Sequence, residues 1–131
     1  MPPLRCIVVT PEKTVLDEKA DFVALPLYDG EIGIGADRAP MIGRLGFGEL
    51  RLRTGEVATQ FFVGGGFVQV ADNVVSVLTQ AAQPAAEINV FDAEKELRKA
   101  RARTATTPDM LARRDDLVAA ARARVRMGSK S

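Results

Sequence analysis

Asp29-Gly30-Glu31-Ile32-Gly33-Ile34-Gly35-Ala36-Asp37-Arg38-Ala39-Pro40-Met41 is the stretch on which the fold turns. It lies between two strand-like runs and is echoed downstream by Val63-Gly64-Gly65-Gly66-Phe67-Val68-Gln69-Val70. Glycine at this density belongs where a strand must turn or where another backbone comes close. Neither stretch carries the side chains of an active site. Conspicuous backbone geometry without catalytic groups points to a part that fits against other parts.

Working outward, the first ~84 residues read as short strands punctuated by turns about every 8–12 residues, the pattern of an all-β sandwich or barrel. The candidate strands are Leu4–Thr10, Thr14–Asp17, Ala20–Leu27, Glu31–Ile34, Met41–Arg44, Gly48–Thr54, Glu56–Val63, Gly66–Val70 and Val74–Thr79. In Glu49-Leu50-Arg51-Leu52-Arg53 the leucines fall on one face and the charges on the other, so one face is buried and one is wet. Thr54-Gly55 and Ala71-Asp72-Asn73 are hairpin-type turns. Pro11 has no N–H for a ladder and ends the first strand.

After Gln83-Pro84 the texture becomes helical: Ala, Arg, Lys and Glu dominate, and no glycine occurs until Gly128. Asn89 is placed to cap a helix, with Asp92 in its first turn. Val90, Ala93, Leu97 and Ala100 follow at helical spacing. The run Thr104-Ala105-Thr106-Thr107 breaks that helix, and Thr107-Pro108-Asp109 starts another. Leu111, Val118, Ala121 and Val125 form its apolar stripe. The short linker folds the two back as an antiparallel hairpin. Alanine-rich faces bury little area, so the hairpin leans on the sandwich or on a partner. The expected domains are therefore 1–84, strand-rich, and 85–131, helical.

Composition removes whole classes of function. The chain has 131 residues, 47% of them hydrophobic, no Trp and no His, one Tyr, one Cys and a net charge of +1. A wholesale nucleic-acid binder would be far more basic. Without histidine there is no Ser-His-Asp arrangement, no Cys-His pair and no ordinary zinc site. Cys6, in the apolar run from Leu4 to Val9, reads as a small buried core residue in a reducing compartment. No apolar run approaches the ~20 residues of a membrane span. Met1-Pro2-Pro3 lacks the regions of a signal peptide, so the default location is cytoplasmic.

Charge is split along the chain. Residues 1–84 hold 7 basic and 10 acidic residues, net −3, and residues 85–131 hold 11 and 7, net +4. The late excess sits at Arg113, Arg114, Arg122, Arg124, Arg126 and Lys130. A solvated helix face is the plain reading; a docking surface for an acidic partner is the sharper one. The other candidate sites are weaker. Gly64-Gly65-Gly66 is followed by neither lysine nor helix, so it is a turn or bulge and not a phosphate cradle. Gly30 to Gly35 lacks the strand-then-helix unit of a dinucleotide loop. Asp29, Glu31 and Asp37 are turn formers, not a metal site. No acid–base pair stands out, and no active site, metal or cofactor is expected.

Three segments resemble one family. Gly30-Glu31-Ile32-Gly33-Ile34, Asp37-Arg38-Ala39-Pro40-Met41-Ile42 and Leu45-Gly46-Phe47-Gly48-Glu49-Leu50-Arg51 are similar to the epsilon subunit of F-type ATP synthases. The likeness continues through Val63–Val70 and Asn73–Leu78 and is mainly architectural after residue 85. It implies an α+β chain: an N-terminal antiparallel β-sandwich of about ten strands, then a C-terminal antiparallel helical hairpin. It implies a non-catalytic rotor subunit at the cytoplasmic face of the inner membrane, a peripheral part of the complex without membrane insertion. Its implied partners are the gamma subunit, the c ring, and the alpha and beta subunits of the catalytic head, with no nucleic acid. Gly30, Glu31 and Ile32 are implied to meet the c ring, and Asp37, Arg38, Ala39, Pro40 and Met41 to lie near the gamma and c-ring junction. Arg38 stands where the family usually has histidine, so any titrating role there is lost. Gln69 stands for the usual glutamate.

The resemblance also implies that the helices can brake ATP hydrolysis in some members, which gives Arg113, Arg114, Arg122, Arg124 and Arg126 a regulatory reading. Some members bind ATP through Ile/Leu-Asp-X-X-Arg-Ala at the first helix. Here that stretch is Ile88-Asn89-Val90-Phe91-Asp92-Ala93. Asn89 replaces the aspartate, and Asp92 puts an anion where a triphosphate needs a cation, so no ATP binding is expected. A free-standing sandwich module for a small ligand is the competing reading, disfavoured by the scarcity of aromatic residues. An enzyme is a third, lacking the residues to act.

Overall fold

A computed structural model describes residues 4–129. The chain divides into two compact units, Met1–Gln83 and Pro84–Ser131. The first unit is built from eight strands: β1 Leu4–Val9, β2 Thr14–Ala20, β3 Phe22–Leu27, β4 Gly30–Ile34, β5 Met41–Arg44, β6 Phe47–Thr54, β7 Val57–Ala71 and β8 Val74–Pro84. They hydrogen-bond in the order β2-β1-β8-β7-β6-β3-β4, with β5 on β7 off that path.

The ends of this path share one core. Leu4, Leu16, Val23, Ile34, Leu50, Leu52, Val63 and Val77 belong to a single buried cluster, although β2 and β4 stand at opposite ends of the order. β2 also touches β6 across three intervening strands. The sheet must therefore fold over and face itself in two layers. The alternation read at residues 49–53 has its expected sense: Leu50 and Leu52 are buried, Arg51 and Arg53 exposed.

Eight strands replace the ten implied and the nine marked. Glu56–Val63 and Gly66–Val70 are not separate strands, because the glycines do not turn the chain back. Gly65 (φ 73°) and Gly66 (φ 108°) instead bend one continuous β7. Its first half pairs with β6, from Val57 opposite Thr54 to Gly64 opposite Phe47, and its second half pairs with β5. Gly66 is needed there because a Cβ would run into the Leu78 carbonyl and lie 2.9 Å from the Thr79 Cα. Thr79 is a buried polar residue that secures the bend: its Oγ1 accepts from the Gly64 N–H at 3.2 Å and donates to the Ala81 carbonyl at 3.1 Å. β8 continues to Pro84, five residues beyond the expected end at Thr79. The expected all-antiparallel pairing has one exception, since β1 runs parallel to β8.

In the second unit a short 3₁₀ turn (Ala85–Glu87) leads into helices α1 Val90–Arg101 and α2 Pro108–Ser129. Asn89 caps α1 as expected, its side chain accepting from the Phe91 and Asp92 N–H groups at 3.0 and 3.2 Å. Thr107 caps α2 through the Met110 N–H at 3.1 Å. Gly128 packs on Val90 while Arg124 bonds to Glu96, so the two helices run antiparallel. Ala93, Ala100 and Ala121 are buried as the stripes require. Leu111 is not: it is 48% exposed, and Ala123 and Met127 are buried in this helix instead. α2 is the longer helix, 22 residues against 12, so its first turns extend past the end of α1. No helix among the described residues is long and apolar enough to cross a membrane.

Candidate functional site

The residues singled out at the start fall at the two ends of β4, roughly 13 Å apart for a strand of this length. At one end Tyr28 and Asp29 form the two-residue turn between β3 and β4, and Gly30 (φ 144°) opens β4. Tyr28 is exposed, with the Arg44 guanidinium 4.2 Å from its ring centre. Glu31 is exposed but not free. Its Oε1 accepts from Arg51 Nη2 at 2.6 Å, and Arg51 also reaches Glu49 at 3.5 Å. This pair crosses β3, since Glu31 stands opposite Pro26 on one side and Arg51 opposite Ala24 on the other. Both side chains are about half exposed, so the pair orients the carboxylate more than it stabilises the fold. Ile32 is half-buried and packs on the core.

At the other end, Asp37 (φ 61°) is clamped to the β7–β8 turn. Its N–H donates to Asn73 Oδ1 at 2.6 Å, and Asn73 Nδ2 donates to Asp37 Oδ1 at 3.2 Å. Asp72 and Asn73 both have positive φ, as a tight two-residue hairpin turn requires. Arg38 donates from Nη1 to the Gly33 carbonyl at 3.0 Å. Ala39 and Pro40 are exposed, and Met41 begins β5 and packs on the core. Pro40, Met41 and Ile42 line one side of a shallow depression of about 380 Å³, with Gln69, Val70 and Ala71 opposite.

The arginines of α2 do not make one face. Arg122 and Arg126, four residues apart, share an exposed side. Arg124 is half-buried and donates to Glu96 Oε2 at 3.0 Å. Arg113 is exposed, and the Nε of Arg114 is buried without a hydrogen-bond partner among the described residues. Lys130 lies outside the described residues. At the start of α1 the Asn89 side chain is committed to the cap, and Asp92 sits in the first turn. No group of three or more metal-ligating side chains gathers among the described residues. Cys6 is fully buried, and burial, with the charges of Glu18 and Asp17 adding, pushes its thiol up to about 12. A thiol held neutral is not a nucleophile.

Sequence reasoning missed Arg51 and Asn73, the two residues that hold Glu31 and Asp37. Both are ordinary strand and turn residues until the register is known. It also missed that Ile42, Phe67 and Leu78 are exposed. The arrangement as a whole offers shaped backbone rims and oriented polar groups.

Residues 3–85 match the family described as ATP synthase, Delta/Epsilon chain, beta-sandwich domain. The chain is 50% identical, over 94% of its length and 96% of the relative's, to an ATP synthase epsilon chain of Rhodopirellula baltica. The chain belongs to the family of ATP synthase epsilon chains. An epsilon chain of Rubrobacter xylanophilus is 39% identical over 81% of this chain and 73% of its own. Among solved structures, the fold is similar to a chain of the Euglena gracilis mitochondrial ATP synthase, with TM-score 0.81 and 23% identity over 94% of this chain and 80% of that one. A chain of the Tetrahymena thermophila mitochondrial ATP synthase central stalk and c ring gives TM-score 0.74 at 16% identity, over 95% and 96%. Family membership displaces the reading of a free-standing ligand-binding module.

Proposed function

We propose that this chain works in the rotor of a bacterial F-type ATP synthase, joining the gamma subunit to the c ring so that proton flow drives ATP synthesis in the alpha and beta subunits. As an epsilon chain it is a subunit of the enzyme and not the catalytic one. The observation that carries the reading is the 50% identity along nearly the whole chain to a bacterial epsilon chain. In the assembly it sits peripherally at the cytoplasmic face of the inner membrane, residues 1–84 and 85–131 acting as separate domains. Gly30, Glu31 and Ile32 face the polar loops of the c ring, Glu31 held in position by Arg51. Asp37 to Met41 lie toward the gamma and c-ring junction, with the Asn73 clamp keeping that loop in one conformation.

The test is deletion of the gene in its own organism. Membrane vesicles should then lose proton-coupled ATP synthesis, the gamma subunit should no longer co-purify with the c ring, and restoring the chain should recover both. Coupled synthesis that survives the deletion overturns the proposal. For regulation, the residues to replace are Arg113, Arg122 and Arg126, because Arg124 already serves Glu96 within the hairpin. Alanine at those three raises ATP hydrolysis by the assembled enzyme if the basic helix is a brake on the head, and leaves it unchanged if the helix is packing alone. The isolated chain is expected to bind no ATP.

A further inference from the structure

Two turns of the strand-rich unit meet at residues 37 and 73, and each position carries a side chain that its turn does not need. Asn73 (φ 62°) is the second residue of the β7–β8 turn, and Asp37 (φ 61°) lies in the connection 35–40 between β4 and β5. Glycine alone satisfies a positive φ, as Gly55 does in the β6–β7 turn at φ 61°. The side chains at 37 and 73 are therefore free to serve something else, and they serve each other. Asn73 Oδ1 accepts from the Asp37 N–H at 2.6 Å, and Asn73 Nδ2 donates to Asp37 Oδ1 at 3.2 Å. Of glycine, asparagine and aspartate, the residues that most readily take this backbone, only asparagine has a side chain that both accepts and donates. The Asn73 backbone is itself fixed, its carbonyl accepting from the Arg5 N–H of β1 at 2.8 Å. The clamp thus ties the connection to β1 and β8 as well as to the strands it joins.

What the clamp holds is a short apolar edge. Arg38 is fastened to the Gly33 carbonyl at 3.0 Å and Met41 packs on the core. Ala39 and Pro40 stand exposed between those two anchors, beside Ile42, which is 77% exposed. On the other flank no neighbour lies within 4 Å of the Cβ position at Gly35, so packing does not fix the connection there. We infer that Asn73 is a positioning residue for docking: it acts through Asp37, holding the Ala39–Pro40 edge in the conformation that the gamma subunit accepts. Asn73 has this role only if the rotor reading holds, with the Asp37–Met41 segment at the junction. A segment already ordered loses less freedom when it docks, so the clamp raises affinity by pre-organisation and not by contact.

The test titrates the full chain into the purified gamma subunit of the same enzyme. Asn73→Gly keeps the backbone of the turn and deletes the clamp; it should weaken binding roughly tenfold, the worth of one or two hydrogen bonds. Asn73→Asp keeps the acceptor but sets a second carboxylate against that of Asp37, and should weaken binding by a similar factor. In an Asp37→Asn background the same Asn73→Asp change should cost less than about twofold, because the amide at 37 then donates to the carboxylate at 73. The Asp37 amide should also exchange faster with solvent in Asn73→Gly. Single variants at Asn73 that bind as the wild type does overturn the inference, as does an Asn73→Asp cost that is the same in both backgrounds. A wild type that does not bind the gamma subunit overturns the rotor reading, and this role for Asn73 with it.

Discussion

Replacing Gly66 by alanine tests the bent strand directly. Two separate costs are readable at that position. The backbone at φ 108° is one that L-residues rarely adopt, worth roughly 1–3 kcal/mol. The new methyl also meets main-chain atoms of β8, the Leu78 carbonyl and the Thr79 Cα, which cannot rotate away as a flexible side chain can. Forcing β7 and β8 apart adds roughly 1–3 kcal/mol, so a total of about 4 kcal/mol is expected. Gly65→Ala is the control. It too has positive φ (73°), but its methyl would lie 3.5 Å from the Phe47 ring, an ordinary contact. Only the backbone term, about 1–2 kcal/mol, applies there. Gly35→Ala, at ordinary φ with nothing within 4 Å, should change stability by less than about 0.5 kcal/mol. With no Trp in the chain, far-UV circular dichroism through urea titrations is the suitable readout. Each kcal/mol shifts the melting temperature by about 4–8 °C for a domain of this size. If Gly66→Ala and Gly65→Ala differ by less than about 1 kcal/mol, the close approach of β7 to β8 is not what holds the glycine there.

Three further outcomes are expected. Thr79→Val keeps the shape but deprives the buried Gly64 N–H of its acceptor, costing about 1–3 kcal/mol in the same titration, while Thr79→Ser should cost less. Asn89→Ala removes the α1 cap and should cost about 1 kcal/mol, seen as faster hydrogen exchange at the Phe91 and Asp92 amides. The third concerns pH and Cys6, whose folded thiol titrates near 12 against an ordinary value of 9.0. Above that ordinary value the unfolded chain releases a proton that the folded chain keeps, so stability falls as pH rises, by up to about 1.4 kcal/mol per unit. The stability gap between the wild type and Cys6→Ala should therefore narrow above about pH 9; a constant gap would show that the thiol is not held neutral.

The parts legible in the chain were those that depend on neighbours a few residues away. Asn89 and Thr107 are caps because a short side chain reaches an N–H two or three residues on, and both do so. Leu50 and Leu52 are buried because a strand alternates. Asp72-Asn73 turns because those residues tolerate positive φ. Where the stripe misplaced Leu111, the cause is length: a 22-residue helix overruns its 12-residue partner, and the overrun has nothing in α1 to bury it.

The candidate site divides in the same way. Its glycines, Glu31 and the Asp37–Met41 turn are marked in the sequence by composition and by likeness to a family. Their surroundings are not. Arg51 reaches Glu31 from 20 residues away, and Asn73 reaches Asp37 from 36. Those partners exist only once β3 lies between β4 and β6, and once the β7–β8 turn comes up beside the loop after β4. The sequence by itself determined the strand-then-helix order, the caps, the turns and the absence of catalytic groups, because each follows from residue chemistry and local periodicity. The tertiary structure alone decided that β7 bends instead of ending, that β1 lies parallel to β8, and that Glu31 is paired. Those are matters of strand register and order, and neither leaves a mark on the residues that make it.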